Sequence, residues 1–484
     1  MSAPTPEQLI HSFFYERLNY EKQVPPAYGQ LYYRLKPLTE LLDLLGNPHR
    51  SMAVAHVAGT KGKGSVSTML HHVLHSGGYR CGLYTSPHIH HLGERFLVDG
   101  RAADTAQLAE VLQVLGPSVA AIDDRSSSDP EFGSLTFFDL CTATAFLYFY
   151  RQAVQIAVIE VGMGGRLDST NVVDPLLSII TNISLDHTQQ LGNTVAEIVR
   201  EKAGIIKPQR PVVSGVRQPE ARAIVEEVAR KHRAPLAQFD RHLSWTAEDA
   251  LSGPCVVRFE DPETHQVIES PPLQTPLIGP HQRDNVALVF AATVYLRSAG
   301  WELSSPAILA GLAAARIPGR LQVVGSNPRV VLDVAHNPAS ISALVETLRM
   351  MDAAAAKEIA PEAPSSQALG DAVMSPGRRT LVFAVSRDKD SAEMLRIAVG
   401  YFDRFILTRF YNNPRAQELE RLREILAMVT DPLRQPIVEV FELPSAAFQH
   451  ALKDVQPSDV VVVAGSLFLL AEIGSWSIDK PDVE

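Results

Sequence analysis

HVAGTKGKGSVSTML, residues 56–70, reads as the end of a β-favouring run, a lysine-bearing glycine loop and the opening of a helix. Its spelling departs from the usual phosphate loop of Gly, four residues, Gly-Lys, then Ser or Thr. Counting back from Gly62-Lys63 puts Val57 where the first glycine belongs, and Gly64 delays the hydroxyl to Ser65. The chemistry survives the change: Gly59, Gly62 and Gly64 let the backbone turn and aim successive N–H groups at an anion, and the helix opening near Ser65 adds its positive end. Lys63 stands at the glycine–helix junction, where a phosphate lysine belongs. Lys61, at the loop tip, receives no role. The plainer reading, a glycine-rich turn with incidental lysines, is disfavoured by the strand before it and the helix after it.

Working outward, CGLYTSP (81–87), QIAVIEVG (155–162) and LLSIITNIS (176–184) are near-continuous apolar runs, as strands covered on both faces are. Helix-like stretches separate them. This alternation predicts an N-terminal α/β domain with a mostly parallel, doubly wound sheet and its chemistry at the strand ends. From 209 to 280, PVVSGV, CVVRFED and QVIESPPLQTPLIG predict additional strands rather than another regular crossover, and HQRDNVALVFAATVYLRSAG predicts a long helix. Near IPGRLQVV (317–324) the texture restarts as short strands between helical segments, a smaller C-terminal α/β domain. The expected domains are 1–315 and 316–484. Residues 352–379, rich in Ala, Pro and Ser, read as a flexible surface insertion.

With 484 residues, 46% of them hydrophobic, the chain is long enough for two or three domains with substantial cores. A formal net charge of -10 argues against a nucleic-acid partner held by a broad basic surface and favours small-molecule ligands. The N-terminal stretch has no basic start followed by an apolar core and cleavage site, and runs such as VVVVAGSLFLLAEI are too short to span a bilayer, which needs about 20 apolar residues. A cytoplasmic protein without a membrane partner is the expectation. Cys81, Cys141 and Cys255 are far apart and read as buried thiols.

Several polar residues end apolar runs. Glu160 closes VIE in a position to ligate a nucleotide-bound magnesium, with capping of the next turn as the equal alternative. Asp186-His187 follows another strand; a lone His there is more often an ordinary loop residue, since magnesium prefers oxygen. His71 and His75 share one helical face, but no Cys or Glu partner in sequence completes a zinc site, so a packed or solvated face is expected. Lys202, after a helix-like stretch and before Gly204, is a further candidate with an exposed salt-bridging lysine as the plain alternative, and Asp333 reads either as a ribose contact or as a helix cap.

HVAGTKGKGS, YTSPHI, LTFFD, VIEVGMGGRLDSTN, SLDHTQQLG, REKAGIIKP, GPHQRDN, PGR, LDVAHNP, DKD and GSLFL fall in one order from about residue 50 to 470. Together they resemble the folylpolyglutamate synthase and dihydrofolate synthase family, relatives of the Mur amino-acid ligases. The resemblance implies an ATP-dependent ligase that adds L-glutamate to reduced folates and to dihydropteroate through an acyl phosphate, acting as a cytoplasmic monomer. It implies a phosphate loop of Gly59, Thr60, Gly62, Lys63, Gly64 and Ser65, with further nucleotide contacts from Asn285, Arg320, Asp333 and His336. Ser86, Glu160 and His187 match magnesium ligands for a pair of ions, and Lys202 matches a lysine carried as a carbamate; Lys63, Lys202 and His187 are the implied catalytic set. Thr136, Phe137, Phe138 and Asp139, with Leu167, Asp168 and Ser169, match the pterin-binding segments. Asp139 stands where many members carry Glu, one methylene longer. The competing readings are a Mur-type ligase acting on a cell-wall nucleotide precursor, and a P-loop ATPase switch driving a macromolecular partner.

Overall fold

The apolar runs form the middle of an eight-stranded sheet in the computed structural model, which describes residues 5–21, 34–184, 188–359, 377–433 and 435–474. Its strands are β1 (Ala53–Ala58), β2 (Cys81–Tyr84), β3 (Phe96–Val98), β4 (Arg101–Ala102), β5 (Ile156–Glu160), β6 (Leu177–Ile180), β7 (Val212–Ser214) and β8 (Leu236–Gln238). The order is β4-β3-β2-β5-β1-β6-β7-β8, with every pairing parallel except those of β3, which runs antiparallel to both β2 and β4. β1 lies between β5 and β6, with Val57 beside Glu160 and Ala58 beside Ile180. The carbonyl ends of these three strands therefore open together at the point where strand order reverses, the place where open α/β sheets bind ligands.

One core joins Val54, Ala157 and Ile159 to the helices Thr105–Ser128 and Phe137–Arg151, and another joins Ala58, Ile180 and Val212 to Val195–Ala203 and Pro219–His232. Among the described residues Thr105–Ser128 alone is long and apolar enough to cross a membrane. It carries Pro117 inside and sinks Leu108, Leu112, Leu115, Val119 and Ile122 into that core, as a soluble domain's helix does. The expectation of additional strands rather than another regular crossover between 209 and 280 needs correction: β7, the helix Pro219–His232 and β8 make one more parallel crossover of the eight-stranded sheet, and the additional strands proper are a separate antiparallel sheet of β9 (Leu243–Ala247), β10 (Cys255–Glu260) and β11 (Val267–Glu269).

The chain divides into two compact units, 1–316 and 317–484. The second holds β12 (Gln322–Ser326), β13 (Arg329–Leu332), β14 (Arg379–Phe383), β15 (Arg404–Leu407), β16 (Ile437–Val440) and β17 (Val460–Ala464), ordered β12-β13-β17-β14-β15-β16 with β12 antiparallel to the rest. The expected insertion at 352–379 needs correction at both ends. Residues 352–359 continue the helix Pro338–Ile359, and Arg379 begins β14. Alanine is the best helix former, so DAAAA extends a helix as readily as it fills a loop. Asp352 is anchored by Arg329 at 2.9 Å and Arg379 at 3.1 Å. Residues 360–376 lie outside the described part.

Candidate active site

The glycine loop leaves β1 at Ala58 and is fastened to the chain leaving β6. Thr60 N donates to Asn182 O at 2.8 Å, Lys61 N to Asn182 Oδ1 at 2.8 Å, and Thr181 Oγ1 to Lys61 O at 2.6 Å. Lys61 thus has a backbone part in the clamp. Gly59, at φ 153°, lies so close to this clamp that a Cβ there would overlap Thr181 Oγ1. Gly62, at φ 82°, caps the helix Lys63–Ser76 without a side-chain hydrogen bond, which leaves the first helical amides to an anion. A Cβ on Gly62 would stand 2.7 Å from Asn285 Oδ1, so Asn285 sits directly against the loop. Lys63 Nζ donates to Gly59 O at 3.1 Å, folding back over the loop it follows.

Glu160, at the end of β5, faces the same helix start. Both its carboxylate oxygens lie 3.8 Å from where a Gly64 Cβ would be, and Ser86 N approaches Oε2 at 3.3 Å. The Glu160 carboxylate at the helix N-terminus, and the hydroxyl that the neighbouring Ser86 carries, are hard oxygen donors of the kind magnesium takes. The exposed salt-bridging reading of Lys202 is wrong: it is 4% exposed, in the last turn of Val195–Ala203, and its Nζ donates to Gly59 O at 2.9 Å. The turn that ends the helix carries it inward beneath the loop. His187 lies outside the described residues.

The two segments matched to pterin binding meet beside Glu160. Thr136 caps the helix Phe137–Arg151 in a reciprocal capping box with Asp139, and Ser169 Oγ donates to Asp139 Oδ1 at 2.6 Å. Asp139 is 6% exposed, and burial raises its pKa. Its carboxylate ties one segment to the other. Phe138 covers Gly162, where a Cβ would fall 2.5 Å from Phe138 Cζ, and its ring lies 5.9 Å from that of Tyr84. Leu167 and Phe138 are half-buried, and Phe137 and Ser169 are buried. Asp168 is buried and accepts from Met163 N at 2.9 Å and Thr170 N at 3.0 Å. The result is a continuous path: phosphate loop, Glu160, Gly162, Phe138, and the Asp139–Ser169 link.

In the second unit Asp333 does the work of a turn clamp: Oδ2 accepts from Leu321 N at 2.8 Å and Oδ1 from Ala335 N at 2.7 Å. This holds the Pro318–Arg320 turn against the end of β13. Arg320 is exposed, and His336 Nδ1 lies 2.9 Å from Val334 O.

Folding brings His75 to within 4.8 Å of Cys81 and Asp99, partners that sequence spacing did not supply. These groups form an internal network: Asp99 Oδ1 takes Cys81 N–H at 3.0 Å, Arg80 lies 3.7 Å from Asp99 Oδ2, and Cys81 Sγ lies 3.2 Å from His71 Nδ1. Sequence reading missed Thr181 and Asn182 as holders of the loop. Their signal was a Thr-Asn pair ending an apolar run.

Residues 57–293 match the Mur ligase middle domain, and 364–467 match the Mur ligase glutamate ligase domain. The chain is 32% identical over 454 residues to dihydrofolate synthase/folylpolyglutamate synthase of Bacillus subtilis, covering 92% of this chain and 96% of that one. It is 32% identical over 437 residues to folylpolyglutamate synthase of Lacticaseibacillus casei, covering 90% and 92%. Among solved structures, Mycobacterium tuberculosis folylpolyglutamate synthase complexed with ADP and AMPPCP aligns with a TM-score of 0.77 at 30% identity, covering 96% of each chain. Escherichia coli FolC in complex with DHPP and ADP aligns with a TM-score of 0.76 at 28% identity, covering 97% of each.

Proposed function

We propose that this chain, which belongs to the folylpolyglutamate synthase and dihydrofolate synthase family of Mur ligases, joins L-glutamate to reduced folates and to dihydropteroate at the expense of ATP. The observation that carries the reading is the path from the phosphate loop through Glu160 to the linked pterin segments. It puts the phosphate loop near Phe138 and the Asp139–Ser169 link, the segments matched to pterin binding.

A carboxylate is a poor electrophile, so its oxygen first attacks the γ-phosphorus of ATP, and ADP leaves. The loop amides after Gly62 and the Lys63 ammonium offset the charge spread over the moving phosphoryl group. The glutamate amine then attacks the acyl carbon, phosphate departs, the amine proton is lost, and an amide remains. Magnesium, when bound, supplies positive charge to the phosphate oxygens. Ser86 and Glu160 are the residues that would hold it, with His187 assigned from its motif alone. Lys202 fits the carbamate assignment, because a carbamylated Nζ keeps one N–H to donate to Gly59 O while presenting an anionic oxygen. Asn285 is assigned to nucleotide by its place against Gly62; Arg320, Asp333 and His336 carry that assignment from their motifs. The working unit is one chain, in the cytoplasm.

The test is oxygen transfer. With the acceptor carboxylate isotopically labelled in oxygen, one labelled atom appears in the released phosphate. Phosphate free of label would exclude the acyl phosphate.

A further inference from the structure

His56 is a polar residue in the middle of the central strand, fully buried among Val54, Ala55, Val57 and Ala58, and the reaction just described does not use it. Its side chain leaves the sheet on the face of Val54 and Ala58, since strand residues alternate. There its Nε2 lies 2.8 Å from Thr170 Oγ1, while its Nδ1 has no hydrogen-bond partner among the described residues. Thr170 Oγ1 in turn lies 2.5 Å from Asp168 Oδ1, which also accepts from Thr170 N.

The order of protons along this chain follows from counting donors. Asp168 receives the Thr170 hydroxyl, the Thr170 amide and the Met163 amide, so it acts as an ionised acceptor. Threonine has one hydroxyl proton, already given to Asp168, so at His56 its oxygen accepts and Nε2 carries the hydrogen. Burial holds His56 neutral, with its pKa lowered to about 3, so it has one N–H, and the partnerless Nδ1 is the bare lone pair. A neutral imidazole with the other tautomer would leave a buried N–H without an acceptor.

We propose that His56 is a positioning residue: through the Thr170 hydroxyl it fixes the proton order of a buried chain ending on Asp168, and so keeps that carboxylate an acceptor for the N–H-bearing aminopyrimidinone edge of the substrate's pterin. Asp168 Oδ2 takes one amide and has capacity for one further donor. The inference rests on the pterin reading of Asp168 given above. It also explains why one strand serves two sites: His56 lies three residues before Gly59, so β1 sets the phosphate loop and the pterin carboxylate from a single rigid element. Other groups around the chain are Lys63 and Tyr84, which face Asp168, Asp139 across Ser169, and Lys207 near His56. None of them donates to Thr170 Oγ1 among the described residues.

The experiment compares His56→Leu, His56→Gln and Thr170→Val with the wild-type enzyme, using dihydropteroate, ATP and L-glutamate, over a range of pH. Loss of the chain is expected to raise KM for dihydropteroate about tenfold, while KM for ATP and the affinity for ADP stay unchanged. In Thr170→Val the acid limb of kcat/KM for dihydropteroate moves to higher pH, because Asp168 loses the hydroxyl donor that favours its ionised form; in His56→Leu it moves the same way by less, because the Thr170 hydroxyl is no longer held and polarised by the Nε2 hydrogen. His56→Gln, whose amide can donate to Thr170, restores both. Circular dichroism and ADP binding identify a variant that has not folded; for such a variant His56→Gln and Thr170→Val decide. An active wild type, with folded variants unchanged in dihydropteroate KM and pH profile, would overturn the inference alone. A wild type that turns over no pterin would overturn the reading beneath it as well.

Discussion

Gly59→Ala perturbs the loop at the point where the structure leaves least room. The new Cβ overlaps Thr181 Oγ1 and stands 3.1 Å from Thr181 Cβ and 3.2 Å from its backbone N. Thr181 must rotate away, losing its 2.6 Å bond to Lys61 O, a loss of about 1 kcal/mol. Holding a non-glycine residue at φ 153° adds roughly 1–3 kcal/mol. The sum is about 2–4 kcal/mol, which at roughly 2 °C per kcal/mol for a domain of this size lowers Tm by about 4–8 °C. Because the strained atoms are those that aim the loop amides, ADP affinity should fall by about tenfold for each 1.4 kcal/mol that relaxes into loop displacement. Thermal unfolding without nucleotide and calorimetric titration with ADP measure the two effects. Gly59→Ala combined with Thr181→Ala removes the side-chain overlap and should recover about 1 kcal/mol, leaving the backbone cost. A Gly59→Ala protein with wild-type Tm and ADP affinity would refute the clamp.

Lys63→Ala should reduce kcat by about 100- to 1000-fold with a smaller change in pterin KM, since it removes charge stabilisation from phosphoryl transfer; steady-state kinetics with each substrate varied in turn check the split. Isotope-labelled bicarbonate should give a carbamate carbon signal by NMR in wild type and none in Lys202→Ala, and removing bicarbonate should slow the wild type. Chelation of magnesium should abolish turnover reversibly, and Glu160→Gln should raise the magnesium concentration needed for half-maximal rate. Acid should weaken the fold: burial lowers His49 to about 4, His56 to about 3 and His71 to about 4 from 6.5. The unfolded chain therefore takes up protons first as pH falls through about 6.5, and each histidine removes about 1.4 kcal/mol of stability per pH unit until its own folded value is reached. A Tm that is flat from about pH 7 to 4 would contradict this.

The parallel sheet was legible because strands buried on both faces announce themselves as apolar runs, and Glu160 because it ends one. The glycine loop was legible as an anion site despite its spelling, because the strand and helix around it carry the physics. The pterin segments were not legible from residue chemistry alone. Thr136 and Asp139 look like any capping box, and their bond to Ser169 joins residues 30 apart in sequence. His56 drew no reading from the sequence, since its partner is 114 residues away, and the Thr181 clamp spans 120. Lys202 was legible only through its motif, because a lysine before Gly204 in a charged helix carries no local sign that the helix turns that face inward. The alanines after Asp352 were misread because composition was weighed above helix propensity.

The most direct measurement is ADP release with ATP, magnesium and L-glutamate, adding dihydropteroate, tetrahydrofolate or a muramyl nucleotide in turn, with the product weighed by mass spectrometry. The account predicts ADP release that requires both glutamate and a pterin acceptor, with one glutamyl unit gained per ADP. Release indifferent to every acceptor, or dependent on the muramyl nucleotide, would contradict it.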